Sequence, residues 1–192
     1  LDFRLAFSPL SIFVKAYSES RMSTAAEKKN PKSKGVAKSA KNSKTSFSKE
    51  DYIKWYEDML LMRKFEEKCG QLYIQQKFGG FCHLYIGQEA ILAGMTWAME
   101  KDDRVITAYR DHAHPLALGT PAKEVMAELY GKVTGSSKGK GGSMHMFDKK
   151  RNLYGGHGIV GAQIPMGAGI AFADMYNGID AVTYCFMGDG AV

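Results

Sequence analysis

Asp189 stands between Gly188 and Gly190, directly after the apolar run AVTYCFM of residues 181–187. A carboxylate at the carboxyl end of a buried strand lies where an open α/β sheet places its ligand. Magnesium favours a carboxylate together with phosphate oxygens, and flanking glycines let backbone amides approach such oxygens. The chemistry would be the anchoring of a diphosphate. An Asp-Gly pair also makes an ordinary turn, so the tripeptide by itself leaves both readings open.

Tyr109 and Arg110 form a second cluster within VITAYRDHAHP, residues 105–115. At the end of a strand both could project into one crevice, with the guanidinium on a phosphate or paired to the neighbouring Asp111. All five histidines (His83, His112, His114, His145 and His157) fall between residues 83 and 157, mostly near glycine or in loops. No pair has the spacing of a zinc protease helix, and a neutral structural histidine is the ordinary alternative.

Elements able to position these groups are legible around them. Ser48 and Asp51 make a capping signature. After it Tyr52, Trp55, Tyr56, Met59, Met62, Phe65, Cys69 and Leu72 recur near the helical period, predicting a long helix that runs to Gly79 and Gly80, with Gly70 as a weak point. A second helix is expected over residues 88–99 and a short buried strand over 105–108. A third helix should start at Thr120 as cap, with Pro121 in its first turn, and close at Gly131. Fourteen of the 21 glycines lie between Gly131 and Gly190, concentrated in two loops, residues 135–142 and 155–161. Such loops permit close backbone approach or positive φ. Residues 162–176 read as a helix packed tightly on a sheet through Gly167, Ala168 and Gly169, with Pro165 in its first turn and Phe172 in the core. Phe172→Asp is therefore expected to unfold the protein. The apolar run after it suits a strand of a parallel sheet covered on both faces. Helix and strand alternation predicts an α/β fold with a mostly parallel sheet flanked by helices, incomplete at the carboxyl end because no helix follows Gly190 to complete the crossover.

The chain has 192 residues, 45% hydrophobic and 24% charged, with a formal net charge of +6. These proportions exclude collagen, coiled-coil and fully disordered classes. The basicity is local: residues 22–49 hold eight Lys and one acid, whereas residues 50–192 hold 15 bases and 17 acids. Three zones follow. Residues 1–21 are a leader or upstream segment of uncertain status, with Arg, Ser and aromatic content but also two acids, and Met22 could equally be the start. Residues 22–49 are a Lys-rich tail expected to be disordered. Residues 50–192 are the globular part. Three scattered cysteines support neither a disulfide framework nor a zinc site, which fits a reducing setting. No apolar run reaches the length of a membrane span, so no membrane association is expected.

Five segments taken together carry more than any one: GFCHLYIGQEA (80–90), ITAYRDHAHP (106–115), GKGGSMHMFD (139–148), YGGHGIVGAQIPMGAGIAFA (154–173) and MGDGAV (187–192). In order and spacing they resemble the alpha subunits of the pyruvate dehydrogenase decarboxylating component, within the thiamine-diphosphate-dependent 2-oxo acid dehydrogenase family. The resemblance covers about residues 50–192, and so implies that these form the amino-terminal part of a thiamine-diphosphate-binding α/β domain.

That resemblance implies thiamine diphosphate and magnesium as cofactors, held between alpha and beta subunits of a heterotetramer. By motif match Asp189 is a magnesium ligand, Gly190 and Ala191 supply backbone around the diphosphate, and Tyr109 and Arg110 contact the cofactor, Arg110 at the diphosphate. Gly158 and Val160 match the segment beneath the aminopyrimidine, and His83 matches the diphosphate and substrate end of the pocket. The family completes its magnesium site with an Asn further along the chain and carries a mobile histidine-bearing loop, both expected beyond Val192. The implied reaction is oxidative decarboxylation of pyruvate with acetyl transfer to a lipoyl arm of the transacylase, supplying acetyl-CoA. Proton abstraction from the cofactor is promoted by a beta-subunit Glu, so no residue of this chain is expected to be catalytic in that step. Branched-chain 2-oxo acid and acetoin dehydrogenases are the related alternatives. A bacterial cytoplasm is the expected location and a mitochondrial matrix the alternative.

Two readings from other classes remain. A nonenzymatic protein could bind nucleic acid or an acidic surface through its Lys-rich arm, although the domain's own charge gives no reason to expect nucleic acid. A different phosphate-binding α/β enzyme is disfavoured because there is no GxxxxGK[ST] run, and because residues 156–161 (GHGIVG) are read as following a loop rather than a strand.

Overall fold

The computed structural model describes residues 11–14 and 46–191. The expectation for the Lys-rich tail falls almost wholly outside the described residues. Nine elements are used below: β1 (Ser11–Val14), α1 (Lys49–Ile74), α2 (Glu89–Ala98), β2 (Arg104–Ala108), α3 (Ala113–Ala117), α4 (Ala122–Leu129), β3 (Leu153–His157), α5 (Gln163–Tyr176) and β4 (Thr183–Phe186).

The sheet runs β1-β4-β2-β3. β2 lies parallel to β3 and to β4, with Val105 opposite Tyr184 and Ile106 opposite Cys185. β1, which falls within residues 1–21, pairs antiparallel with β4. The architecture is α/β, a three-stranded parallel sheet flanked by helices, as expected. One face carries Val105, Tyr184 and Phe186 against Met62, Phe65, Cys69, Leu92 and Met95 from α1 and α2. The other face carries Ile106 and Cys185 beneath α5. A Cβ on Gly167 would lie 3.1 Å from the Cys185 sulfur and 3.3 Å from Ile106, so this glycine sets how closely α5 sits on the sheet.

α1 starts where the capping signature places it. Ser48 Oγ accepts from the Asp51 amide at 3.1 Å, and the Asp51 carboxylate accepts from the Ser48 amide at 2.9 Å. It passes straight through Gly70, over which Leu84 packs. It ends at Ile74, before the glycine pair, because Gln76 turns the chain at φ 56° and so carries Phe78 into the core. Tyr52 and Tyr56 stay exposed.

Three further expectations are corrected. Thr120 does not cap α4: its hydroxyl donates to Asp148 at 2.8 Å, and Pro121 occupies the cap position. The glycine run after Tyr154 opens as strand β3, not as a loop. Gly155 has φ +89° with the Phe147 ring where a Cβ would stand, and Gly156 lies against the Asp111 carboxylate. Phe172 is on the outer face of α5, 60% exposed, since the inner face is taken by Gln163, Gly167, Ala171 and Asp174.

Candidate functional site

β2 and β4 are parallel neighbours, so their carboxyl ends open on the same side of the sheet. The chain leaving β2 delivers Tyr109 and Arg110, and the chain leaving β4 delivers Gly188 and then Asp189 and Gly190 in a short 3-10 turn, Asp189–Ala191. These residues line one cavity of about 410 Å³, together with Val160 and Ala191. That volume suits a small-molecule ligand.

Asp189 is exposed at the cavity's rim, and the positions a Cβ would take on Gly188 and Gly190 are open space. A ligand can therefore approach the backbone on either side of the carboxylate. The Ala191 amide is already engaged, donating to the Gly188 carbonyl at 3.0 Å. Arg110 is half-buried and donates to the Leu84 carbonyl, which fixes its guanidinium at the cavity wall.

Two of the sequence-derived residues, His83 and Gly158, are not among those lining the cavity. The His83 ring packs at a tilt against Tyr109, centroids 4.5 Å apart and planes at 58°. Burial, and then the positive charge of Arg110 and His112, push its pKa below the usual histidine value. Gly158 sits against His145, whose Cε1 would be 3.2 Å from an added Cβ. His145 in turn bonds the Gly156 carbonyl through Nδ1 at 3.0 Å.

The surrounding loops are held by buried carboxylates that sequence reasoning did not single out. Glu128, fully buried on α4, accepts from the amides of Ser137 and Gly139 at 2.8 Å and of Gly141 at 2.7 Å. Glycine is required along this loop: a Cβ on Gly141 would collide with the His145 carbonyl. Glu66 accepts from the Tyr85 amide at 3.0 Å and pairs with His112 Nδ1 at 2.9 Å, while His112 Nε2 meets Ser143 Oγ at 2.7 Å. With Cys69, Glu66 and His112 make a compact trio of ligand-type atoms. The carboxylate and imidazole are hydrogen-bonded to one another, and burial raises the Cys69 thiol far above its usual value. Partners 46 residues apart in the chain leave no local spacing signal.

The residues 156–161 that match GxGxxG leave β3 and run into α5, so the ground on which a nucleotide-type loop was disfavoured does not hold. The comparison with known proteins decides the matter. The dehydrogenase E1 component family matches residues 57–192. The chain belongs to the dehydrogenase E1 component family. Among relatives of this E1 family, pyruvate dehydrogenase E1 component subunit alpha of Rickettsia prowazekii is 61% identical over 144 residues, covering 75% of this chain and 44% of the relative. The protein of that name from Rhizobium meliloti is also 61% identical, over 76% of this chain and 42% of its own length. The mitochondrial subunit alpha of Dictyostelium discoideum is 53% identical over 77% of this chain and 38% of its length. The chain thus spans under half the length of the curated relatives it matches. Among the described residues of this E1-family chain, no helix is long and apolar enough to cross a membrane.

Proposed function

We propose that this chain is the cofactor-anchoring part of an alpha subunit that decarboxylates pyruvate with thiamine diphosphate and magnesium, working with a beta subunit and a lipoyl transacylase in a bacterial cytoplasm. The observation that carries the reading is the joint lining of one cavity by Tyr109, Arg110 and residues 188–191. The relatives' names support pyruvate over branched-chain 2-oxo acids or acetoin.

The residues present fit such a cofactor. Asp189 offers an exposed carboxylate to a divalent cation, the open glycines beside it admit phosphate oxygens, and Arg110 offers a fixed guanidinium at the same wall. Asp189 would hold the cation, and Arg110, Gly190 and Ala191 would surround the diphosphate. Tyr109, packed against the His83 ring, would form a wall, and Val160, on the segment that begins at Gly158, the floor beneath the pyrimidine. When bound, thiamine diphosphate supplies the electron sink for loss of carbon dioxide from a 2-oxo acid. This chain's residues orient that group and neutralise its diphosphate, which fixes the reactive ring in one place. None of them is assigned a proton transfer.

Calorimetric titration of thiamine diphosphate with magnesium into the full-length subunit, alone and with its beta partner, tests this. Magnesium-dependent binding is expected to vanish in Asp189→Ala without a fall in melting temperature, because the side chain is exposed. Arg110→Ala is expected to weaken binding by about 1.5–3 kcal/mol, the worth of a charge-assisted bond. A folded parent protein that binds nothing, or an Asp189→Ala variant that binds as well as the parent, would overturn the reading.

A further inference from the structure

His114 and Gln163 line the cavity at its buried end, and the proposed cofactor contacts account for neither. Both side chains are fully buried. Gln163 donates its amide N–H to the Phe186 carbonyl at 3.1 Å, which leaves Oε1 with no hydrogen-bond partner among the described residues. The His114 ring stands edge-on between Tyr85 and Phe186, centroids 5.1 and 4.9 Å away, and neither of its nitrogens has a hydrogen-bond partner among the described residues. The two groups thus line one cavity from two sides, the His114 ring against the Phe186 side chain and Gln163 at the Phe186 carbonyl.

Buried polar atoms are nearly always partnered, by protein, water or ligand, and an exception calls for a cause. Here both exceptions are of one kind. Burial keeps His114 neutral, its pKa lowered to about 3, with the Asp111 backbone carbonyl slightly favouring a ring proton. A proton on the nitrogen nearer that carbonyl leaves the other nitrogen as an acceptor. Gln163 Oε1 can only accept. Two buried acceptors without donors in the lining of one cavity call for a ligand that donates.

We propose that His114 and Gln163 form an acceptor subsite at the inner end of the cavity, built to take an O–H or N–H donor carried by its occupant. Rested on the cofactor reading above, the donor has two sources: water held on the divalent cation, or an amine of the organic cofactor. Magnesium suits the first, since it keeps several of its waters when bound. The subsite then discriminates between occupants, because one lacking the donor would leave two buried acceptors unpaired.

The test uses the full-length subunit assembled with its beta partner, as His114→Phe and Gln163→Met. Both replacements keep the volume and remove the acceptor, and melting temperature reports whether each has folded. Manganese alone, and thiamine diphosphate with magnesium, are titrated separately by calorimetry. About tenfold weaker binding is expected in each variant, as for one lost hydrogen bond, and His114→Gln is expected to recover most of it. Loss already present with manganese alone assigns the donor to metal-bound water; loss only with thiamine diphosphate assigns it to the cofactor. Parent-like affinity in both arms, from folded variants, would overturn the subsite, leave the cofactor reading standing, and mean that solvent water alone fills the pocket end. A parent protein that binds neither probe would overturn both, and shows this without any variant.

Discussion

His112 and His114 lie two residues apart, both completely buried, and their pKa values move in opposite directions. Burial alone would lower the pKa of each. For His112 the hydrogen bond and charge of Glu66, with Asp111 adding to them, override burial and raise it, and the ring lies between Glu66 and Ser143. His114 meets only aromatic edges and its pKa drops to about 3. The pair shows that burial does not decide what a histidine does; the partner does. Where partners are complete, as around Glu66 and Glu128, buried polar groups tie loops to helices. Where they are missing, as along the cavity, the same chemistry is left over for a ligand.

Glu66→Ala should break the satisfied side most severely. It removes the counter-charge of His112 and the acceptor of the Tyr85 amide at once, and uncompensated burial of one partner costs about 3–5 kcal/mol. Denaturant unfolding of the chain measures it. A loss below about 1 kcal/mol, the scale of an exposed pair, would show that the trio is more hydrated than its burial implies.

Asp111 sharpens the contrast through pH. Burial raises its pKa to about 8, against the opposing pull of His112 and the Met146 amide, which donates to it at 2.8 Å. The folded state therefore holds a proton that the unfolded chain, with an ordinary carboxyl near 3.8, releases. Stability attributable to this group is full below the unfolded value, falls as pH rises toward about 8, and then levels off. Asp111→Asn, which keeps an acceptor for Met146 and cannot ionise, should lose that slope. Melting temperatures of both proteins from pH 5 to 9 check it, and parallel curves would mean that His112 and Glu66 absorb the titration.

The layout was legible where local pattern reports it. The capping pair at Ser48, the β-branched run of β2, the small residues of α5 and the apolar run of β4 all follow from short-range periodicity or cap chemistry. So does the convergence of Tyr109, Arg110 and Asp189, because adjacent parallel strands open on one edge. The misses share another cause. β3 is a strand through its parallel pairing with β2, far earlier in the chain, and its glycines are needed because Phe147 and Asp111 occupy the space where side chains on Gly155 and Gly156 would stand. Thr120 bonds Asp148 across 28 residues instead of capping its own helix. His114 and Gln163 carry no spacing signal, since only the fold brings α3 and α5 to one cavity. Pairings made by the tertiary fold are invisible to periodicity.

Phe172 carries the comparison to the surface, where the smallest effect is expected. Sequence periodicity alone makes it core, yet it lies on the outer face of α5 stacked on Tyr176, ring centroids 6.3 Å apart. That contact is half solvent, and substitutions away from packed or partnered groups change stability by about 0.5 kcal/mol or less. Phe172→Asp in this chain should therefore leave the unfolding midpoint nearly unchanged, while Ala171→Asp, one residue inward against the sheet, should prevent folding because its carboxylate would be buried without a partner. Equal damage from the two substitutions would mean that the outer face of α5 is covered in solution, and the division between satisfied interior and open edge would have to be redrawn to include it.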